Sequence, residues 1–250
     1  MTLVITEVSE RFGCVIVGDS AITIQKKDGT YDVQWGAEKV HYSTKATMGF
    51  AVWGNACLAG KRIDKMISSF VSNLASSASP RVAGRDLAAL LVDEGKKDGR
   101  SWEDLRGGVH LCGYEGHLPV LFHVHTGADP PNPQGPFKLY EDFADARSAV
   151  HLRNGYYRMF GVLFDGMQNY AAGLQNLGFK WPFEKVEDRV SYYSIMVDTI
   201  SQTLRAAGKS PSVGGAISGL AFNRNGIQVD KRLQGGNEQF CREPGTMMSL

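Results

Sequence analysis

Thr2 is the first residue in the chain whose type and place could carry chemistry. Methionine aminopeptidase removes an initiator methionine efficiently only when the next residue is small, and threonine qualifies. Excision of Met1 would leave a threonine with a free α-amine, whose ordinary pKa of about 7.7–8.0 keeps it partly neutral near pH 7. That amine lies within reach of its own hydroxyl, so one residue supplies both nucleophile and general base for acyl transfer. Threonine at position 2 is also common and by itself means little. Asp19 strengthens the reading, because it closes the apolar run Cys14-Val15-Ile16-Val17-Gly18, and a hairpin turning at residues 10–13 would bring it back beside Thr2. A carboxylate in that place must be paired or exposed; its plainer alternative is an aspartate in the turn after a strand. Lys39 precedes another short apolar run and is expected on a neighbouring strand of the same sheet. A lysine beside an N-terminal threonine favours the alkoxide and lowers the pKa of the amine by like-charge repulsion. Asp19 would keep that lysine charged and oriented. Alone, Lys39 would read as an exposed edge-strand lysine.

The elements that must position these groups follow from periodicity. Leu3-Val4-Ile5 with Val8, the turn Glu10-Arg11-Phe12-Gly13 and the run 14–17 read as a hairpin, and the second run is apolar throughout, as a strand buried on both faces would be. Residues 25–36 read as a loop or a polar hairpin. Short strands are expected from Lys39 and over Thr47–Trp53, the latter ending at Gly54-Asn55. From Ala56 to about Ala75, apolar residues recur at helical spacing, and a second helix fits about 82–97 with an end near Gly99. Strands fit 109–114 and 118–125. Residues 127–136 hold four of the nine prolines and must be a loop. Helices near 156–177 and 186–207 and a strand pair at 214–222 and 226–231 follow, and the last 19 residues read as a peripheral tail. Strands, two helices, strands, two helices and strands is an α+β order. A four-layer αββα sandwich absorbs it, with two antiparallel sheets face to face and helices covering both outer faces.

These residues carry a family resemblance. Thr2, then Val15-Ile16-Val17-Gly18-Asp19-Ser20, then Lys39-Val40, then Met48-Gly49-Phe50-Ala51-Val52-Trp53-Gly54-Asn55-Ala56 leading into a helix, resembles a proteasome β-subunit of the N-terminal-nucleophile (Ntn) hydrolase group, in its bacterial N-terminal-threonine form. The resemblance covers roughly residues 2–125 and weakens beyond. It implies Thr2 as nucleophile, Lys39 as pKa modifier and Asp19 as its partner. It also implies an oxyanion donor in the turn after the 47–53 strand, here the backbone N–H of Trp53 or Gly54; Trp53 departs from the glycine-rich family pattern and is a candidate to shape the pocket instead. Where the family has a Gly-Ser-Gly loop, this chain has Arg153-Asn154-Gly155-Tyr156, which puts Asn154 in the serine's place with Gly155 beside it. Where the family has an Asp and a Ser ahead of a Gly-Gly, this chain has Ser210-Pro211-Ser212-Val213 before Gly214-Gly215. The segment 127–150 reads as an insertion into a single domain spanning 1–250, and 232–250 as its tail.

The reaction so implied is cleavage of a peptide or amide bond through an acyl-enzyme on Thr2, with no cofactor and no metal. A non-catalytic assembly subunit of the same fold, or an amidohydrolase acting on non-peptide substrates, are the alternatives. The resemblance further implies a homo-oligomer, a ring or an open spiral, and a regulatory unfoldase as a further partner. The near balance of 27 Lys+Arg against 26 Asp+Glu gives no electrostatic reason to expect nucleic acid or an anionic membrane. No apolar run reaches the length of a membrane span, the N-terminus lacks the pattern of a signal peptide, and a cytoplasmic location is expected. The four cysteines, at 14, 57, 112 and 241, show no C-x-x-C spacing and read as buried free thiols in a reducing compartment. His123 and His125, two apart on a strand, share a face; they could ligate a metal, but packing histidines are the plainer reading.

Overall fold

The apolar runs at the start of the chain fold back on each other through a turn at Glu10–Phe12, giving β1 (Leu3–Ser9) and β2 (Gly13–Gly18), which pair antiparallel from Val4↔Gly18 to Ser9↔Gly13. The computed structural model describes residues 2–25, 31–127, 135–141, 150–155, 157–176, 185–208, 213–232 and 247–249. The elements that follow are β3 (Ala21–Gln25), β4 (Tyr31–Trp35), β5 (Val40–Ser43), β6 (Met48–Gly54), β7 (Cys57–Leu58), β8 (Lys61–Arg62), α1 (Ile63–Ser72), α2 (Pro80–Asp98), β9 (Gly107–Glu115), β10 (Leu118–His125), β11 (Lys138–Tyr140), β12 (Val150–Gly155), α3 (Tyr157–Asn176), α4 (Val186–Ala206), β13 (Ser218–Asn223), β14 (Gly226–Lys231) and β15 (Met247–Ser249). Among the described residues the fold is therefore mixed α+β, with four helices and two main antiparallel sheets. One sheet runs β12-β1-β2-β13-β14 and the other β11-β10-β9-β6-β5; β15-β3-β4 form a small third sheet and β7-β8 a hairpin.

Side chains alternate across a strand, and both sides of these strands find apolar company. Leu3, Ile5, Val15 and Val17 pack with Phe160 of α3 and with Val190, Tyr193, Met196 and Ile200 of α4. Their neighbours Val4, Val8, Cys14 and Ile16 turn the other way and meet Val40, Tyr42, Ala51, Cys112 and Leu121 of the second sheet. The reverse face of that sheet, through Phe50, Val52, Leu111 and Phe122, packs with Ile67 and Val71 of α1 and Leu87 and Leu91 of α2. This double burial is why the run 14–17 shows no polar alternation. Gly49 sets the spacing between the sheets: a Cβ there would lie 2.6 Å from Ile16 Cδ1 and 2.7 Å from Phe222 Cε1. Gly49→Ala is therefore expected to lose about 1–3 kcal/mol by overpacking, read as a lower urea midpoint at unchanged m-value.

Several expectations are corrected by the local chemistry. The helix expected from Ala56 to Ala75 is only α1, because residues 57–62 form the β7-β8 hairpin. Its tip, Ala59 (φ 48°) and Gly60 (φ 71°), takes the two successive left-handed conformations of a tight hairpin turn. Within the segment read as an insertion, and without bearing on that reading, β11 edges the second sheet and Phe137 is buried in the core beneath α2. Residues 128–134 and 142–149 lie outside the described residues. In the expected tail, Met247–Ser249 pairs with β3, and 233–246 lie outside the described residues. Residues 150–155, given no element in the sequence reading, form β12 against β1. The reading of four free thiols holds for Cys14 and Cys112 but fails for Cys57, which is disulfide-bonded. No helix among the described residues is long and apolar enough to cross a membrane.

Candidate active site

Asp19 follows the end of β2, where its N–H donates to Leu3 O at 3.2 Å and so fixes it opposite the start of β1. Its carboxylate gathers five donors. Oδ1 accepts from Thr2 Oγ1 at 2.9 Å, from Leu3 N at 2.9 Å and from Lys39 Nζ at 2.8 Å. Oδ2 accepts from Ala21 N at 3.2 Å and Gly214 N at 3.0 Å. Lys39 Nζ also donates to Thr2 Oγ1 at 2.5 Å and to Ala21 O at 2.6 Å, so all three of its protons are used. Thr2, Asp19 and Lys39 are buried, with Lys39 fully out of solvent. Burial pushes the Lys39 ammonium below the ordinary lysine value, while Asp19 and Asp64 pull it back up. Chemically, an ammonium proton directed at Oγ stabilises negative charge there, and the carboxylate orients both groups.

Lys39 does not come from a neighbouring strand of the Thr2 sheet. It sits at the head of β5, which belongs to the second sheet, and its carbonyl accepts from Val52 N of β6 at 2.9 Å. The site is thus built across the gap between the two sheets, a geometry that strand order in the sequence does not reveal.

Trp53 and Gly54 end β6, opposite Gly108 and Gly107 of β9. Gly54 has φ +94°, and a Cβ on it would lie 2.2 Å from Gly107 Cα and 2.4 Å from Arg106 O, so only glycine fits this turn. Among the described residues neither backbone N–H of the pair bonds the Thr2–Asp19–Lys39 group. The Trp53 indole faces the space between the sheets and donates to His123 Nε2 at 2.9 Å.

Asn154 lies on β12 beside Val4, with Gly155 beside Leu3. Its Oδ1 accepts from His110 Nε2 at 2.7 Å, while His110 Nδ1 lies 3.0 Å from Thr6 Oγ1. A carbonyl oxygen only accepts, so Nε2 carries the proton and Nδ1 accepts from Thr6. Burial lowers the His110 pKa to about 4 and keeps this imidazole neutral. Asn154 is therefore engaged with a histidine of the facing sheet rather than with Thr2. His123 and His125 do share a face, with ring centroids 4.1 Å apart, and His110 stands 5.0 Å from His123. Among the described residues no group of three or more His, Cys, Asp or Glu side chains is arranged to hold a metal ion.

The second half contributes through backbone. Ser210, Pro211 and Ser212 lie outside the described residues, and Val213 is buried in the core beneath α4. Gly214 holds Asp19 by its N–H and accepts from Ser20 N at 3.1 Å. It has φ +142°, and a Cβ there would meet Ser201 Oγ at 2.4 Å. The Gly-Gly doublet is the sequence signal for this contact.

The fold is similar to a proteasome-like architecture. Two solved structures similar to this chain are both of Anbu from Hyphomicrobium sp. strain MC1. One, a Gly-1 mutant, is 16% identical, with 97% of this chain and 90% of that chain covered and a TM-score of 0.57. The other is 16% identical, with 94% and 89% covered and a TM-score of 0.49. No family model matches the sequence, and no curated protein does. The resemblance to a threonine-type proteasome β-subunit is corrected accordingly: the similar structures are Anbu, a bacterial proteasome-like protein of the Ntn type that is related to proteasome β-subunits. At 16% identity the likeness carries the fold and not the activity.

Proposed function

We propose that this chain is an Ntn hydrolase that cleaves peptide or amide bonds through an acyl-enzyme on Thr2, in one domain built as a four-layer αββα sandwich. The layering is supported by the three cores, one between the sheets and one beneath each helix pair. The observation that carries the activity is the 2.5 Å approach of Lys39 Nζ to Thr2 Oγ1, with Asp19 binding both.

The reading requires Thr2 to become the N-terminal residue. Thr2 is buried in the chain as it stands, and loss of residue 1 frees its amine. Thr2 Oγ then attacks the substrate carbonyl, and its proton passes to the α-amine. The tetrahedral oxyanion is held by the N–H of Trp53 or Gly54, a donor worth about 3–4 kcal/mol of barrier. Collapse breaks the C–N bond, the amine returns the proton to the leaving group, and an ester on Thr2 remains. Water, deprotonated by the same amine, releases the acid. Lys39 stabilises Oγ as it loses its proton, Asp19 holds Lys39, and Asn154 with Gly155 keep β12 against the strand that carries Thr2. A cytoplasmic setting, assembly with copies of itself into a ring or spiral, and a regulatory unfoldase belong to the same reading.

The burial of Thr2 and the engagement of Asn154 with His110 favour a second reading, a non-catalytic assembly subunit of the same fold. Hydrolysis of a panel of blocked fluorogenic peptide amides separates the two. Wild type is expected to turn over at least one of them and Thr2→Ala to lose about a thousandfold or more, in keeping with loss of a nucleophile. Equal rates in both proteins would refute the hydrolase reading.

A further inference from the structure

The layer between the two sheets is apolar through its middle and changes character on the β12 and β10 side of Thr2. Val4 turns toward the second sheet, and Asn154 stands opposite it on β12. Side chains alternate along a strand, so Thr2, two residues before Val4, shares that face with Asn154. Diagonal neighbours of this kind lie about 7–8 Å apart. From the second sheet His110 and His123, directly paired on β9 and β10, meet there with ring centroids 5.0 Å apart.

The hydrogen bonds of this corner decide which atoms it presents. Thr6 Oγ1 donates to His110 Nδ1 at 3.0 Å, and His110 Nε2 donates to Asn154 Oδ1 at 2.7 Å. Both His110 nitrogens are thereby used, and the half-buried Asn154 amide presents its NH2 group, which no other described residue bonds. The Trp53 indole donates to His123 Nε2 at 2.9 Å, so the neutral ring carries its proton on Nδ1. That N–H bonds no described residue and is not sealed from solvent, although the ring is largely buried. Two uncharged donors thus stand on either side of His110.

We propose that Asn154 and His123 form a subsite beside Thr2 for a side-chain carboxamide of the substrate, glutamine or asparagine, whose carbonyl oxygen accepts from Asn154 Nδ2 and His123 Nδ1. The proposal rests on the hydrolase reading above and gives that site a substrate class. Thr6, His110 and Trp53 are positioning residues, which fix the hydrogens that face the substrate. An apolar side chain leaves both donors unpaired. A carboxylate exchanges water for uncharged donors alone, since a second proton on His123 would set Nε2–H against the indole N–H. The Lys39 ammonium is held by Asp19, and Lys138, beside His125 on β11, is exposed.

The test uses blocked alanine peptide amides that carry Gln, Glu or Leu at each position in turn. Binding to the full chain is followed by NMR of the His123 ring, assigned through His123→Gln, and turnover is recorded on the same peptides. At one position Gln is expected to bind about tenfold or more tighter than Leu or Glu, as two added hydrogen bonds allow, and to shift the His123 resonance. Asn154→Asp still accepts from His110 but has no N–H to offer, and should lose the preference. Equal binding of Gln and Leu at every position, tighter binding of Glu, or a Gln preference unchanged in Asn154→Asp overturns the proposal. The wild-type series decides by itself should Asn154→Asp not fold. A Gln preference without turnover of any peptide sinks the hydrolase reading and leaves the subsite standing; turnover without the preference does the reverse.

Discussion

Asp19→Ala is expected to lose about 3–5 kcal/mol of folding stability, because it leaves the other half of a buried ion pair uncompensated. The carboxylate accepts from Thr2 Oγ1, Leu3 N, Lys39 Nζ, Ala21 N and Gly214 N. Its removal strips Lys39, fully out of solvent, of its nearest negative charge. It also frees three backbone N–H groups that no water can reach without opening the site. The loss comes mostly from the orphaned ammonium, so Asp19→Ala/Lys39→Met should recover a substantial part of it. The double variant should nevertheless be as inactive as either single one. Urea unfolding of wild type, both single variants and the double gives the coupling energy directly. Independent, additive losses would show that the pair is not the unit described here.

Acid should destabilise the fold steeply between pH 6.5 and pH 4. Burial lowers the pKa of both His41 and His110 from 6.5 to about 4, and lowers His123 well below its ordinary value. Each is neutral in the folded chain. As pH falls below 6.5 the unfolded chain binds a proton that the folded chain refuses, so stability is intact above 6.5 and is lost progressively toward 4. A displacement of about 2.5 pH units corresponds to about 3 kcal/mol for each of His41 and His110 by pH 4. Against a total of roughly 5–15 kcal/mol that is a large share. His110 is the more instructive member, since its neutral form bridges Thr6 and Asn154 across the two sheets. Unfolding free energy measured from pH 7.5 to 4.5 should fall with pH, and less steeply in His110→Gln. A flat profile over that range would mean that these imidazoles reach solvent.

The Thr2–Asp19 contact was legible because a hairpin obliges its two open ends to meet, and the glycine-ended turn after Phe12 marks the hairpin. The meeting of Lys39 with Thr2 and Asp19 was legible but not its origin: the lysine and its partners sit on different sheets, and facing of sheets leaves no local sequence pattern. The hairpin at 57–62 was hidden by Leu58 and Ile63, which fit a helical stripe until the turn at Ala59-Gly60 is recognised. Asn154 was placed by analogy with a loop, whereas pairing of β12 with β1 makes it a strand residue whose amide is taken by His110. His110 itself reads as one more residue of an apolar strand, and only the meeting of the sheets gives it Thr6 and Asn154 as partners.

The central claim, that Thr2 is an activated N-terminal nucleophile, is tested most directly by intact mass before and after exposure to a peptide epoxyketone, for wild type and Thr2→Ala. An epoxyketone needs both the hydroxyl and the adjacent free amine to close its ring adduct. The account predicts that wild type has lost Met1 and gains one inhibitor per chain, and that Thr2→Ala gains none. Retention of Met1 in protein from its native host, or its loss with no adduct across several peptide side chains, would contradict it.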